Sequence, residues 1–169
     1  DRVQPITSAP ELGRVPTTAG DKYFVYVGTG QYLDKNDLPC PTSGCTWTPA
    51  YNVTQKQSMY GLIDPRVSSP NTADYLRGKL QTQTFTTSGS TRTATNTALT
   101  LTGGSAQNGW VVDFTGGERI VTDPTLAAGS LVFTSNQPSS AACTPGGSSW
   151  LYALDYLNGG MTTAWAGTS

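Results

Sequence analysis

The sequence contains no histidine. That removes the commonest general base, the commonest metal ligand and the side chain whose charge switches near neutral pH. A Ser-His-Asp or Cys-His arrangement is impossible within the chain. Glutamate is almost as scarce, with Glu11 and Glu118 alone, and only 12% of the 169 residues are charged. The net charge is -1, so there is neither a basic footprint for nucleic acid nor an acidic disordered tail. No apolar run approaches the roughly 20 residues that span a bilayer as a helix. No signal peptide is recognisable and the first residue is Asp1. We therefore expect a processed chain or a piece of something longer.

Cysteine is limited to three residues. Cys40 and Cys45 enclose Pro41-Thr42-Ser43-Gly44, a short turn able to bring the two thiols together. A local disulfide is the expected arrangement, and two unrelated surface thiols the alternative. Cys143 is left over: it pairs outside the chain, pairs with one of the first two, or stays free. With no second pair and no histidine, a zinc site is disfavoured. A disulfide would place the chain in an oxidising compartment, such as a periplasm or cell surface.

What is abundant is Thr, Ser and Gly, with 19 Gly and 11 Pro. This suits short strands and many turns and disfavours long helices. A three-part pattern occurs twice. PITSAPEL at Pro5 to Leu12 matches RIVTDPTL at Arg119 to Leu126. FVYVGTGQ at Phe24 to Gln31 matches LVFTSNQP at Leu131 to Pro138, and SMYGLID at Ser58 to Asp64 matches SWLYALD at Ser149 to Asp155. The order is kept while the spacing changes, so the strands match and the loops differ. Repeated all-β units of this kind mark propellers and β-solenoids.

Strands are predicted at Thr7 to Gly13, Tyr23 to Val27 and Met59 to Ile63. TQTFTT and ALTLT read as a hairpin pair across Ser88-Gly89-Ser90, and Gly109 to Phe114 as a further strand. The second copy of the repeat follows. Met161 to Ala166 looks like the opening of one more strand, and Tyr75 to Leu80 is ambiguous between a helical turn and a strand. The count is about nine strands with no confident helix. This fits roughly two propeller blades with an elaborated connection, too few to close a ring of four to eight. A β-sandwich built from all nine strands is the alternative.

The stretch from Gly109 to Gly160, GWVVDFTGGERIVTDPTLAAGSLVFTSNQPSSAACTPGGSSWLYALDYLNGG, resembles the C-terminal β-propeller of the PilY/PilC family. QPITSAPELG, YFVYVGTGQYL and QSMYGLID look like the preceding blade. The resemblance covers well over half of the chain. It implies an all-β, modified quinoprotein-like propeller, with residues 1–169 a fragment of one such domain. It further implies a non-enzymatic factor in type IV pilus biogenesis, twitching motility and adhesion. The implied location is the periplasm, cell surface and pilus tip. The implied partners are minor pilins and a host or abiotic surface ligand. Family members often carry an acidic calcium loop, in which spaced carboxylates wrap a hard cation. No match to that loop occurs here, and Asp34-Lys35-Asn36-Asp37 has the wrong spacing. We expect a polar turn there and no cofactor in this chain, with calcium possible in a full-length protein.

Other motifs are weighed against packing. Glu118 beside Arg119 is read as a structural contact at a corner rather than a functional acid. Asp123-Pro124 reads as a turn whose carboxylate accepts backbone N–H bonds. Gly28-Thr29-Gly30 lacks the spacing and the following helix of a phosphate loop, which leaves a tight turn. Asn52-Val53-Thr54 fits a glycosylation acceptor, a pattern common by chance. Ala153-Leu154-Asp155 with Gly159 and Trp165 loosely resembles the tryptophan-docking repeat of quinoprotein propellers. That makes a quinoprotein-like oxidoreductase the enzyme alternative; a structural surface-binding propeller is the third. Trp110, Trp150, Phe24, Tyr26, Phe133 and Tyr152 are assigned to the core. Residues 34–52 read as a cysteine-containing loop insertion, and Trp47 and Tyr51 are its candidate partner contacts.

Overall fold

The computed structural model describes residues 4–38, 55–69, 71–75, 77–139 and 146–162. Among them the regular structure is strand, apart from short 3-10 turns at Lys35–Asp37, Thr72–Tyr75 and Arg77–Lys79. Ten strands form three sheets over one shared core. In chain order these are β1 (Glu11–Val15), β2 (Lys22–Gly28), β3 (Ser58–Asp64), β4 (Gln81–Gln83) and β5 (Phe85–Ser88). They continue with β6 (Thr91–Ala94), β7 (Gly109–Asp113), β8 (Thr125–Ala127), β9 (Ser130–Pro138) and β10 (Gly147–Asp155).

Both copies of the repeat fold as three-stranded antiparallel meanders. The first is β1-β2-β3, extended by antiparallel β7 and by β4, which lies parallel to β7. The second is β8-β9-β10. A third, two-stranded sheet is the β5–β6 hairpin. The repeat also fixes which face looks inward. Phe24 and Tyr26 of the first copy are buried, and so are their counterparts Leu131 and Phe133. Met59 and Gly61 of β3 are buried, while their counterparts Trp150 and Tyr152 are half-buried and buried. Alternation at period two sends these residues to one face of each meander.

The two inner faces meet in a single apolar cluster. Phe114, Phe133 and Tyr152 join Phe85 of the hairpin there, with ring centroids 4.9 to 6.2 Å apart. Such pairs add about 0.5–1.5 kcal/mol each beyond area burial. Trp110 is fully buried and packs at 6.2 Å from Tyr26.

Several expectations need correction. The first strand starts at Glu11, not Thr7, and runs through Gly13 to Val15. Its partner in the second copy starts at Thr125. In both copies the strand opens directly after the aligned prolines, Pro10 and Pro124. Proline has no N–H to give a ladder, so pairing begins just beyond it. ALTLT forms no strand: residues 98–102 are irregular, and β6 follows directly after the Gly89 turn instead. Of Tyr75 to Leu80, Tyr75 and Arg77–Lys79 lie in 3-10 turns. Of Met161 to Ala166, Met161 makes one bridge to Leu154, and residues 163–166 lie outside the described residues.

Candidate functional site

The predicted disulfide pair Cys40 and Cys45 and the predicted contact residues Trp47 and Tyr51 lie outside the described residues. Cys143 and Trp165 do as well. What the structure shows is how the loop of residues 34–52 is rooted. Asp37 is 1% exposed. Its Oδ2 accepts the backbone N–H of Leu33 at 2.7 Å and of Asp34 at 3.2 Å, and Gln31 Nε2 donates to it at 3.4 Å. Asp34 Oδ1 accepts the Asn36 N–H at 2.6 Å. Both carboxylates are thus engaged with N–H donors of their own turn, as in Asx turns. Among the described residues no three His, Cys, Asp or Glu side chains converge on a metal position.

The Gly-Glu-Arg stretch at Gly117 to Arg119 ties this root to the rest of the fold. Gly116 and Gly117 have φ of 68° and 79°, a left-handed turn that glycine adopts without a Cβ clash. The turn sends the next two side chains into opposite surroundings. Arg119 is buried, and its Nη1 donates to the carbonyls of Gln31 at 3.0 Å and Asp37 at 2.5 Å. Its Nε donates to Gly117 O at 3.0 Å. Glu118 is equally buried and accepts from Ser135 Oγ, from Tyr152 Oη at 2.6 Å and from Arg92 Nη1 at 2.6 Å. Arg92 also donates to Tyr152 Oη and lies over the Trp150 ring at 4.1 Å. The structural reading of Glu118 holds. Burial pulls the Arg92 pKa down, but the Glu118 bond and charge outweigh it and the net shift is upward. Burial first, then the Glu118 bond, holds the Tyr152 phenol protonated well above its ordinary range.

The Gly28-Thr29-Gly30 segment, where β2 ends, is a packing seat. A Cβ on Gly28 would fall 2.4 Å from Ile120 Cγ2, and one on Gly30 would fall 2.5 Å from Ile120 O. Ile120 N–H donates to Thr29 O at 3.0 Å. The expected tight turn is not formed there, because Thr29 N–H continues the pairing toward β3 by donating to Ser58 O at 2.9 Å. The second copy docks on the first through this extended segment. Asp123 Oδ1 accepts a backbone N–H as expected, but from distant Ala9 at 2.7 Å. Gly159 does meet a tryptophan, though it is Trp110: a Cβ there would lie 2.3 Å from the indole.

Beside the other root of the loop lies a cleft of about 410 Å3 lined by Gln4, Lys56, Arg77 and Asp113. Arg77 Nη2 donates to Asp113 Oδ1 at 2.6 Å and Nη1 to Tyr60 Oη at 2.7 Å. Tyr60 donates to Gln4 Oε1 at 2.6 Å, Gln4 Nε2 to Ser58 Oγ at 2.9 Å, and Ser58 Oγ to Asp113 Oδ1 at 2.7 Å. The ring of bonds closes on itself. Burial lowers the Arg77 pKa, but the bonds to Asp113 and Tyr60 outweigh it and raise it overall. Sequence reading missed this cleft. Its residues come from four distant segments and no spacing within any one of them signals it.

No protein-family model matches the chain. A type IV pilus biogenesis factor PilY1 homolog from Xylella fastidiosa is 30% identical over 167 residues, which takes in 93% of this chain and 10% of that protein. Type IV pilus biogenesis factor PilY1 from Pseudomonas aeruginosa is 29% identical over 95% of this chain and 15% of its own length. The crystal structure of the Pseudomonas aeruginosa PilY1 C-terminal domain superposes with a TM-score of 0.67 at 28% identity. It covers 95% of this chain and 33% of that domain's chain. The chain thus spans a small part of the relatives it matches. It is a homologue of the type IV pilus biogenesis factor PilY1, matching the PilY1 C-terminal domain over most of its length.

Proposed function

We propose that the chain is part of a C-terminal propeller, about two blades of it, in a non-enzymatic type IV pilus biogenesis factor that works through protein–protein contacts. The observation that carries this reading is the match to PilY1 over 93% to 95% of the chain. The paired meanders, alike in strand order and inward face, support the blade assignment. In this reading the sheets form a rigid platform at the pilus tip that docks on minor pilins. The loop of residues 34–52, with Trp47 and Tyr51, faces a surface ligand. Its root on Asp37 and Arg119 suits a contact loop, because a segment held at its base loses less entropy on binding. Trp47→Ala should then weaken partner binding and leave the fold's stability unchanged.

The testing experiment deletes the encoding gene and counts surface pili and twitching motility, with retraction-deficient cells as control. Loss of pili that return when retraction is disabled supports a factor that promotes assembly or opposes retraction. Unchanged pili and motility reject the reading.

A further inference from the structure

We propose that the outer face of the five-stranded sheet is a docking groove for an extended acidic peptide segment of a separate protein. The groove has two continuous lobes, because Gln4 and Arg77 line both. One is the polar cleft around Lys56, Arg77 and Asp113. The other, about 280 Å3, is walled by Ile6, Val27, Leu62 and Tyr75. Ile6 is 57% exposed, so apolar surface stands open next to charge.

The charge balance selects the ligand. Among the described residues, two cations face one carboxylate at the polar end, leaving one net positive charge. Asp113 is engaged at Oδ1 by Arg77 and Ser58. The Lys56 ammonium stands 3.9 Å from Asp113 Oδ2, beyond hydrogen-bond reach, and its side chain is 48% exposed. A carboxylate arriving at this end meets an ammonium with N–H groups to give, next to a guanidinium already fixed in place by Asp113 and Tyr60. Pre-fixed donors cost little ordering on binding. Apolar side chains flanking that carboxylate would lie along Ile6, Val27 and Leu62. A basic peptide meets the same two cations and is repelled. The surface stands on its own geometry and does not depend on the pilus reading, which pilus counts test separately.

The test is fluorescence polarisation on the full chain with end-blocked, fluorescein-labelled Gly-Leu-Glu-Leu-Glu-Gly. Its counterpart carries lysine in place of glutamate. The acidic peptide is expected to bind at least about tenfold tighter than the basic one, with affinity falling as salt rises. Lys56→Glu should cut that binding about tenfold or more, and Lys22→Glu, on β2, should change it less than about twofold. If Lys56→Glu fails to fold, Lys56→Gln carries the same test with a smaller loss. Equal binding of the two peptides, or acidic binding indifferent to Lys56, overturns the proposal. A dimer in sedimentation that Lys56→Glu dissolves assigns the groove to a second copy and overturns it too. Protection of Lys56 from acetylation in the full-length natural polypeptide, with Lys22 labelled, assigns the groove to that polypeptide's own sequence and likewise overturns the proposal.

Discussion

Glu118→Gln keeps the shape of the side chain and removes its charge. Side-chain exposure is 1% for Glu118 and 14% for Arg92, so little solvent screens the change. The native carboxylate takes Arg92 on Oε2 and both Ser135 and Tyr152 on Oε1. The amide has one acceptor oxygen, so one side is left facing N–H against donor, and Arg92 loses its described ion-pair partner. Breaking a buried pair from one side costs about 3–5 kcal/mol. Arg92 keeps the Trp150 face at 4.1 Å, a contact worth about 0.5–2 kcal/mol, which argues for the low end. We expect a loss of about 3 kcal/mol, or a melting point lowered by about 6–12 °C in a chain of this size. Urea unfolding at neutral pH, followed by tryptophan fluorescence, reads the first; thermal circular dichroism reads the second. The Arg92→Met, Glu118→Gln double variant should lose less than the sum of its singles, by about 1–3 kcal/mol. A single-variant loss below about 0.5 kcal/mol, or additive singles, refutes the idea that this pair fastens the hairpin to the second meander.

Three further outcomes are expected. Gly159→Ala puts a Cβ into the Trp110 indole at a position with φ of 70°, and should cost about 2–4 kcal/mol; loss of near-UV tryptophan dichroism would mark the displaced ring. Asp37→Ala strips the acceptor from the Leu33 and Asp34 N–H groups. It should cost about 1–3 kcal/mol and speed hydrogen exchange at those two amides, whereas unchanged exchange would contradict the rooting of the loop. Burial holds the Tyr26 and Tyr152 phenols protonated above their ordinary range in the fold. Folded values above the unfolded value near 10 give full stability below about pH 10 and a loss as pH rises past it. Urea midpoints across that range should fall, and fall less steeply in Tyr26→Phe.

The repeat made the two meanders legible because strand parity is written in every second residue. Phe24, Tyr26, Leu131 and Phe133 announce their face without help from the rest of the chain. The first strand starts later than its pattern suggests because alternation reads through Pro10, while a backbone ladder does not. ALTLT alternates well and still forms no strand. Its neighbours Thr95 and Thr97 are bound to Gln83 instead, a tertiary choice that local pattern does not encode. The parallel pairing of β4 with β7 is hidden for the same reason. Arg92 and Arg77 carried no signal at all, since each finds its carboxylate 26 and 36 residues away.

The Gly-Glu-Arg stretch has a physical reason to stay together as a unit. Its glycine turn directs Glu118 toward the second meander and the hairpin, and Arg119 toward the carbonyls at the loop root. The two charges do not neutralise each other. Each is satisfied by a different part of the chain, so the tripeptide works as a fastener between three elements that no direct strand pairing joins. Replacing Arg119 should therefore loosen the loop root while leaving the hairpin joint intact, and replacing Glu118 should do the reverse. Both joints sit on one glycine turn, yet each has its own partners, so the two substitutions separate them.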